Sequence, residues 1–164
     1  MKTLIVYGTR KGMTTETVAV IADILKDRFS HIVDIAETKQ VRYYEKRIHE
    51  YENIIIGSSI VSDRWKTRIL SFMKKDIFEN KRIAIFVTAG GTLNKVNKYG
   101  ITKESAISEA IEKYINKYNK KFKFTPISKT AFGGRVIKRG TEKYNNWNRG
   151  DIVNWAIDLG NKLQ

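Results

Sequence analysis

Short apolar segments alternate with amphipathic segments along the whole chain, and this alternation limits the fold more than any other feature. The apolar segments are typical of buried strands. The amphipathic ones repeat apolar residues at helical spacing, as Val18, Ile21 and Leu25 illustrate. The predicted strands lie within 2–7, 31–35, 53–59, 82–91 and 126–137, and the predicted helices within 14–29, 41–51, 66–77, 102–118 and 151–163, the last with Asp151 as N-cap.

Five strands that alternate with five helices predict an α/β protein with a doubly wound, five-stranded parallel sheet and helices on both faces. The commonest strand order for such a sheet is 2-1-3-4-5. Nothing in the 164 residues indicates a linker, so a single domain over 1–164 is expected. In this fold the ligand lies outside the carboxyl ends of the strands, near strands 1 and 3.

Composition excludes several kinds of site. The chain has no cysteine, which excludes disulfides, thiolate metal centres and a cysteine nucleophile. His31 and His49 lie far apart in the sequence, so no metal site is predicted, and no catalytic residue is evident. No segment approaches the roughly 20 apolar residues that span a bilayer. A cytoplasmic protein is therefore expected.

The net charge is +14, with 31 Lys and Arg against 17 Asp and Glu. Such a charge favours acidic partners, which include nucleic acid, an anionic membrane surface, an acidic redox protein or a polyanionic substrate. It is equally consistent with a lysine-rich solvated surface. A flavin-free basic module that binds nucleic acid stays an alternative, although no nucleic-acid motif is present and the aromatic residues are not interleaved with the basic clusters.

The loop after the first predicted strand, 8–15, contains two glycines, three threonines and two cations. It joins a strand end to a helix N-terminus, where unpaired N–H groups and the helix dipole favour an anion. The alternative is a plain turn in which Thr14 caps the helix. The sequence carries neither a Walker phosphate motif nor a G-x-G-x-x-G motif after this strand, so the loop is not predicted to bind a nucleoside triphosphate or a dinucleotide.

Two further loops, 57–65 and 88–94, follow the third and fourth predicted strands and are rich in small and hydroxyl residues. Small residues let the backbone approach a flat ring from two sides, while hydroxyl and amide groups meet its edge. This combination suits an isoalloxazine ring. Trp65 either stacks on that ring or anchors the following helix in the core, and Gly90 with Gly91 either approaches the ring or forms a turn.

Three segments together resemble the flavodoxin-domain family that includes menaquinone-dependent protoporphyrinogen oxidase: the 8–15 loop, "GSSIVSDRWKTRILSFMKK" (57–75) and "AFGGRVIKRG" (131–140). The resemblance covers nearly the whole chain and implies a flavodoxin-like fold and non-covalent FMN. It implies that one set of residues holds the phosphate and two sets approach the ring. The phosphate residues are Thr9, Arg10, Lys11, Gly12, Met13 and Thr14; the ring residues are Ser58, Ser59, Ile60, Val61, Ser62 and Trp65 on one side and Thr88, Ala89, Gly90, Gly91, Thr92 and Leu93 on the other.

The function that the resemblance implies is electron transfer, or a small oxidoreductase whose substrate docks over the flavin. A protoporphyrinogen oxidase type of dehydrogenase is the alternative within the family. The segment 138–150 is short compared with the insertion of the bacterial enzyme. The expected partner is an acidic redox protein or a small-molecule electron acceptor, and peripheral membrane contact is an alternative that the basic charge allows.

Overall fold

A computed structural model describes residues 1–10 and 12–164. The strands are β1 (Lys2–Gly8), β2 (Ile32–Glu37), β3 (Asn53–Ser59), β4 (Arg82–Thr88), β5 (Ser128–Phe132), β6 (Arg135–Lys138) and β7 (Thr141–Asn145). The helices are α1 (Met13–Phe29), α2 (Val41–Glu45), α3 (Thr67–Met73), α4 (Gly90–Leu93), α5 (Lys95–Tyr99), α6 (Lys103–Tyr114) and α7 (Arg149–Leu163). Three 3-10 turns occupy Thr38–Gln40, Ile48–Glu50 and Asn116–Lys121.

The main sheet has the order β2-β1-β3-β4-β5, and all four of its strand pairs are parallel. This confirms the predicted order 2-1-3-4-5. Consecutive side chains of β1 alternate between two cores, because neighbouring side chains of a strand point to opposite faces. Leu4 and Val6 pack with α3 and α6, whereas Ile5 and Tyr7 pack with α1 and α7. Helices therefore cover both faces, as predicted.

The prediction of one continuous fifth strand over 126–137 is wrong. It divides into β5 in the main sheet and β6, which pairs antiparallel with β7 to form a separate hairpin. The break falls at Gly133, where a Cβ would lie 1.9 Å from the carbonyl oxygen of Asn146. The returning chain thus occupies the place where the strand would have continued, and the hairpin lies outside the parallel sheet.

Two helix predictions also need correction. The helix predicted over 41–51 is only α2 followed by a 3-10 turn. The last helix begins at Arg149 and is capped by Asn148, whose Oδ1 accepts from the backbone N–H of Asp151 at 3.1 Å. Asp151 is therefore not the N-cap; it lies in the first turn, where its charge is favourable to the helix dipole.

Three buried polar side chains, Thr3, His31 and Asn53, form a hydrogen-bonded cluster at the amino ends of the strands, at the opposite end of the sheet from the predicted ligand site. Thr3 Oγ1 lies 2.8 Å from His31 Nδ1 and accepts from Asn53 Nδ2 at 3.2 Å. Within the described residues, His31 Nε2 is buried and has no hydrogen-bond partner. Burial lowers the pKa of His31, and the positive N-terminus and Arg82 lower it further against the opposing effect of Glu52. At neutral pH the imidazole is therefore uncharged in the folded protein.

We expect the folded protein to lose stability as the pH falls below about 6.5, the ordinary pKa of histidine. The unfolded chain takes up a proton on His31 in this range, whereas the folded chain resists it until the pH reaches the lowered pKa. A His31→Asn variant should lose less free energy of unfolding than the parent between pH 7.5 and 5.5, as measured by urea denaturation. Equal losses in the two proteins would contradict this assignment.

Candidate functional site

A cavity of about 480 Å³ opens at the carboxyl ends of β1, β3 and β4. It is bounded by the three predicted loops, by α6 and by the β6–β7 hairpin. Its lining residues are Thr9, Met13, Thr14, Ser59, Ile60, Val61, Ser62, Asp63, Thr88, Ala89, Gly90, Gly91, Thr92, Lys95, Lys113, Tyr114, Gly134, Arg135, Val136, Lys138, Lys143 and Tyr144. Its volume lies within the range of small-molecule and cofactor sites.

The first loop is shaped by Gly12 and two threonines. Gly12 is the N-cap of α1 and has φ +85°, a conformation that favours glycine. Its N–H donates to Thr9 Oγ1 at 3.0 Å, which leaves the Thr9 hydroxyl hydrogen available to a ligand. Thr14 does not cap the helix; its buried Oγ1 lies 3.1 Å from Thr88 Oγ1 and links the first loop to the end of β4.

Of the two cations of the first loop, the structure describes Arg10. Arg10 does not line the cavity; its guanidinium donates to the carbonyl oxygens of Arg64 at 3.0 Å and Trp65 at 2.9 Å. Arg10 therefore ties the first loop to the loop after β3. Lys11, also predicted to hold a phosphate, lies outside the described residues.

The loop after β3 makes a tight turn in which Ser62 and Asp63 both have positive φ, +51° and +58°. Val61 and Arg64 exchange backbone hydrogen bonds of 3.1 Å across this turn. Asp63 is held by the hydroxyl of Tyr114, which donates to its Oδ1 at 2.5 Å. The turn is thus attached to the end of α6.

Asp63 also forms an ion pair with Lys113, with 3.1 Å between Oδ1 and Nζ. The Tyr114 hydrogen bond, followed by the Lys113 contacts, lowers the pKa of Asp63. Burial and the same hydrogen bond raise the pKa of Tyr114. At neutral pH this corner of the cavity therefore contains a carboxylate, an ammonium group and a neutral phenol.

The two serines at the end of β3 have different environments. Ser58 Oγ donates to the carbonyl of Ser59 at 2.9 Å and accepts from the N–H of Lys66 at 3.0 Å, and Ser58 does not line the cavity. Ser59 does line it, and its buried Oγ has no hydrogen-bond partner within the described residues. A buried hydroxyl without a partner is costly, so Ser59 is suited to contact a bound polar group.

Trp65 and Leu93 do not line the cavity. Trp65 is 3% exposed, and its indole N–H donates to the carbonyl of Tyr114 at 2.8 Å. Leu93 is also buried, and both residues belong to the core between the sheet, α3 and α6. The structure thus favours the anchoring role of Trp65 over stacking on a ring.

The β6–β7 hairpin forms a wall that the sequence did not predict. Asn146 holds it to the loop after β4: its Nδ2 donates to the carbonyl of Gly90 at 2.8 Å, and its Oδ1 accepts from the N–H of Gly134 at 2.9 Å. Tyr144 packs against Gly90, where a Cβ would lie 2.9 Å from Cε2 of that ring. The hairpin is therefore seated on the glycines of this loop.

Twelve of the predicted site residues lie together and line this cavity. They are Thr9, Met13, Thr14, Ser59, Ile60, Val61, Ser62, Thr88, Ala89, Gly90, Gly91 and Thr92. Arg10, Gly12, Ser58, Trp65 and Leu93 lie near it without lining it. The residues that the sequence analysis missed come from the 62–64 turn, from α5, from α6 and from the hairpin. In the sequence, the hairpin residues are marked by a basic cluster over 135–143 and by the segment 131–140 that carries the family resemblance.

Three features of the cavity fit FMN. An N-terminal helix turn with threonine hydroxyls offers donors to a phosphate at one end. Backbone and small side chains from two loops, among them Ala89 and Gly91, leave room for a flat ring. The unpaired Ser59 hydroxyl supplies a polar contact for the edge of that ring.

The described residues offer neither a metal site nor a membrane-spanning helix. No group of three or more His, Asp or Glu side chains there is placed to hold a metal ion. In the same part of the chain, no helix is long and apolar enough to cross a membrane.

Comparison with known proteins agrees with the geometry. A family model described as a flavodoxin domain matches residues 4–155. Among curated proteins, the protoporphyrinogen IX dehydrogenase [quinone] of Escherichia coli strain K12 is 32% identical over 75 residues. That match covers 46% of this chain and 40% of the enzyme, so it spans about two fifths of the length of the relative.

Solved structures share the fold at low sequence identity. Oxidised flavodoxin 2 from Bacillus cereus superposes with a TM-score of 0.63 at 18% identity and covers 99% of both chains. Rubredoxin oxygen:oxidoreductase from Desulfovibrio gigas gives a TM-score of 0.61 at 14% identity, over 99% of this chain and 36% of that one. At these identities the likeness establishes the fold alone.

Proposed function

The chain belongs to the flavodoxin domain family, and we propose that its FMN lies in the cavity at the carboxyl ends of β1, β3 and β4. It is an FMN-binding redox protein. When bound, the flavin supplies the redox chemistry, while the protein binds and orients it and excludes or admits partners. The observation that carries the placement is the convergence of the three predicted loops on one cavity.

In this proposal the first loop binds the phosphate. Thr9 and Thr14 line the cavity next to the first turn of α1. N–H groups at the start of a helix are suited to an anion because most of them have no carbonyl partner within the helix; here the N–H of Thr15 already donates to the carbonyl oxygen of Gly12 at 3.0 Å. Thr9 has a hydroxyl hydrogen to donate, because its oxygen already accepts from Gly12. Arg10 contributes indirectly, since its hydrogen bonds to Arg64 and Trp65 hold the first two loops together.

The ring lies between the other two loops. Ile60 and Val61 offer apolar contact on one side, and Ala89 and Gly91 leave space on the other. Ser59 contacts the polar edge of the ring through its unpaired Oγ. Trp65 and Leu93 support these loops from the core and do not contact the ring.

Thr9→Val should weaken FMN binding about tenfold or more and leave riboflavin binding nearly unchanged. A hydrogen bond to a charged group contributes about 1.5–3 kcal/mol, and riboflavin lacks the phosphate that would receive it. Titration of the apoprotein by quenching of flavin fluorescence measures both affinities. Thr9→Ser keeps the hydroxyl and should bind FMN like the parent. Equal losses for FMN and riboflavin in Thr9→Val would show that Thr9 does not contact the phosphate.

Electron exchange with a partner is part of the function of flavodoxin-like redox proteins. We propose that the partner here is an acidic redox protein or a small anionic molecule, because the net charge of +14 attracts negative charge. A cytoplasmic location is consistent with this function.

A second candidate is oxidation of protoporphyrinogen with a quinone as the acceptor. The observation that favours it is the 32% identity over 75 residues with the E. coli enzyme. Anaerobic incubation of the FMN-loaded protein with protoporphyrinogen and a quinone tests it through the fluorescence of protoporphyrin. Lack of turnover in a protein that binds FMN would remove this candidate without affecting the proposed cofactor site.

A further inference from the structure

The β6–β7 hairpin adds positive charge to a part of the cavity that the three loops do not reach. Arg135, Lys138 and Lys143 of the hairpin line the cavity, and Lys95 and Lys113 line it from α5 and α6. Among the described residues that line the cavity, Asp63 is the one acidic residue. This wall therefore carries an excess of positive charge.

Three of these five cations have a carboxylate partner. Lys113 pairs with Asp63, Lys95 with Glu109, and Arg135 with Glu142. Lys138 and Lys143 differ from them: within residues 1–10 and 12–164, no carboxylate lies within 4.0 Å of either ammonium group. Their charge is available to a ligand in the cavity.

A bulge in the hairpin accounts for the position of Lys143. Val136 pairs with Tyr144 and Ile137 pairs with Glu142, so Lys143 is an extra residue with no opposite partner. Neighbouring residues of a regular strand face opposite sides, whereas a bulge redirects a side chain. Lys143 and Tyr144 both line the cavity as a result.

The surroundings of the two lysines are partly apolar and aromatic. Val136 and the half-buried ring of Tyr144 lie beside them along the cavity. Tyr144 is in turn seated on Gly90, within the loop proposed to approach the flavin ring. A molecule bound against the hairpin would thus lie next to the flavin, with an apolar body against Val136 and Tyr144 and an anionic group at the lysines.

We propose that Lys138 and Lys143 form a subsite for the anionic group, a carboxylate, sulfonate or phosphate, of a small molecule that exchanges electrons with the flavin. This rests on the proposed FMN site. For a quinone acceptor, reduced FMN gives up two electrons and two protons, the quinone takes them up as a hydroquinone, and oxidised FMN remains. The lysines take no part in the transfer; they set which acceptor binds.

The test compares two acceptors that differ in charge, 1,4-naphthoquinone-2-sulfonate and 1,4-naphthoquinone. The FMN-loaded protein is reduced with one equivalent of dithionite, and reoxidation by each quinone is followed anaerobically by stopped-flow absorbance. In Lys138→Gln/Lys143→Gln, the ratio of the sulfonate rate to the neutral rate should fall about tenfold, which corresponds to about 1.4 kcal/mol shared between two exposed charge contacts. Added salt should lower this ratio in the parent more than in the variant.

The matched control is Lys26→Gln/Lys162→Gln. It removes the same charge from exposed lysines in the last turns of α1 and α7, at the opposite end of the sheet. Its ratio should equal that of the parent. A common change in both double variants would mean that only net charge matters, and this would overturn the subsite.

FMN affinity separates the remaining outcomes. Lys138→Gln/Lys143→Gln should bind FMN within twofold of the parent by fluorescence titration. A large loss of FMN binding confined to this variant would assign the lysines to the FMN phosphate and overturn the proposal. Failure of the parent and the control to bind FMN would instead reject the proposed cofactor site, and the subsite with it.

Discussion

Gly57→Ala should destabilise the protein by about 3 kcal/mol in urea denaturation. Gly57 lies in β3 directly opposite Phe86 of β4, and an added Cβ would lie 2.1 Å from Cζ of that ring. The ring cannot move away freely, because it is fully buried and packs against Phe132 and Trp155 with centroid distances of 5.7 and 6.2 Å. Overpacking of a well-filled core costs 1–3 kcal/mol and occasionally more.

Two further variants separate this clash from a general effect of alanine. Gly91→Ala places a Cβ 3.4 Å from the Tyr144 hydroxyl, an ordinary contact, and should change the free energy of unfolding by less than about 1 kcal/mol. Phe86→Leu removes ring atoms that the new methyl group meets. In the Gly57→Ala/Phe86→Leu double variant the two losses should therefore be less than additive. A Gly57→Ala protein as stable as the parent would contradict the packing described here.

Gly91→Leu should weaken FMN binding on the order of 30-fold or more without unfolding the protein. Gly91 is exposed in α4 and lines the cavity opposite Tyr144. A leucine side chain there would occupy space assigned to the flavin ring, and loss of about 2 kcal/mol of ring contact corresponds to this factor. Fluorescence titration with FMN measures the affinity, and urea denaturation of the apoprotein confirms that the fold is retained.

The control for this variant is Gly91→Ala, whose single added carbon leaves most of the cavity open. It should bind FMN within a few-fold of the parent. Parental affinity in a folded Gly91→Leu protein would mean that the ring does not lie beside α4, and the proposed orientation of FMN would have to be abandoned.

The sequence predicted the parallel sheet and the family correctly because the signal for each central strand is local. Segments such as 53–59 are continuous apolar runs, which a strand buried on both faces requires. The order 2-1-3-4-5 then followed from the topological rules of α/β folds. The cavity loops were found for the same reason, since small and hydroxyl residues at three strand ends must meet at one edge of such a sheet.

The hairpin could not be predicted because its cause is not local. The fifth strand ends where Asn146, thirteen residues further along the chain, packs its carbonyl against Gly133. Lys138 and Lys143 reach the cavity only through this pairing and its bulge. In the sequence, Lys138 and Lys143 belong to the basic cluster over 135–143, and nothing there predicts that they face the cavity.

The contacts of individual side chains in the loops could not be predicted from the sequence pattern either. Arg10 and Thr9 are neighbours in the same phosphate-type loop, yet Arg10 bonds to backbone carbonyls of the next loop while Thr9 faces the cavity. Trp65 was equally compatible with stacking or anchoring, and the decisive fact was the distant carbonyl of Tyr114 that accepts from its indole. Tyr114 itself carried no signal, because in sequence it is one apolar position of a helix.

The central claim is that this cavity binds FMN and that the bound flavin accepts electrons. The visible absorption spectrum of the purified protein with one equivalent of FMN, recorded after removal of free flavin and again after dithionite, tests it most directly. We expect a yellow protein whose visible flavin absorption bands stay with the protein and bleach on reduction. A colourless protein that releases all added FMN would contradict it.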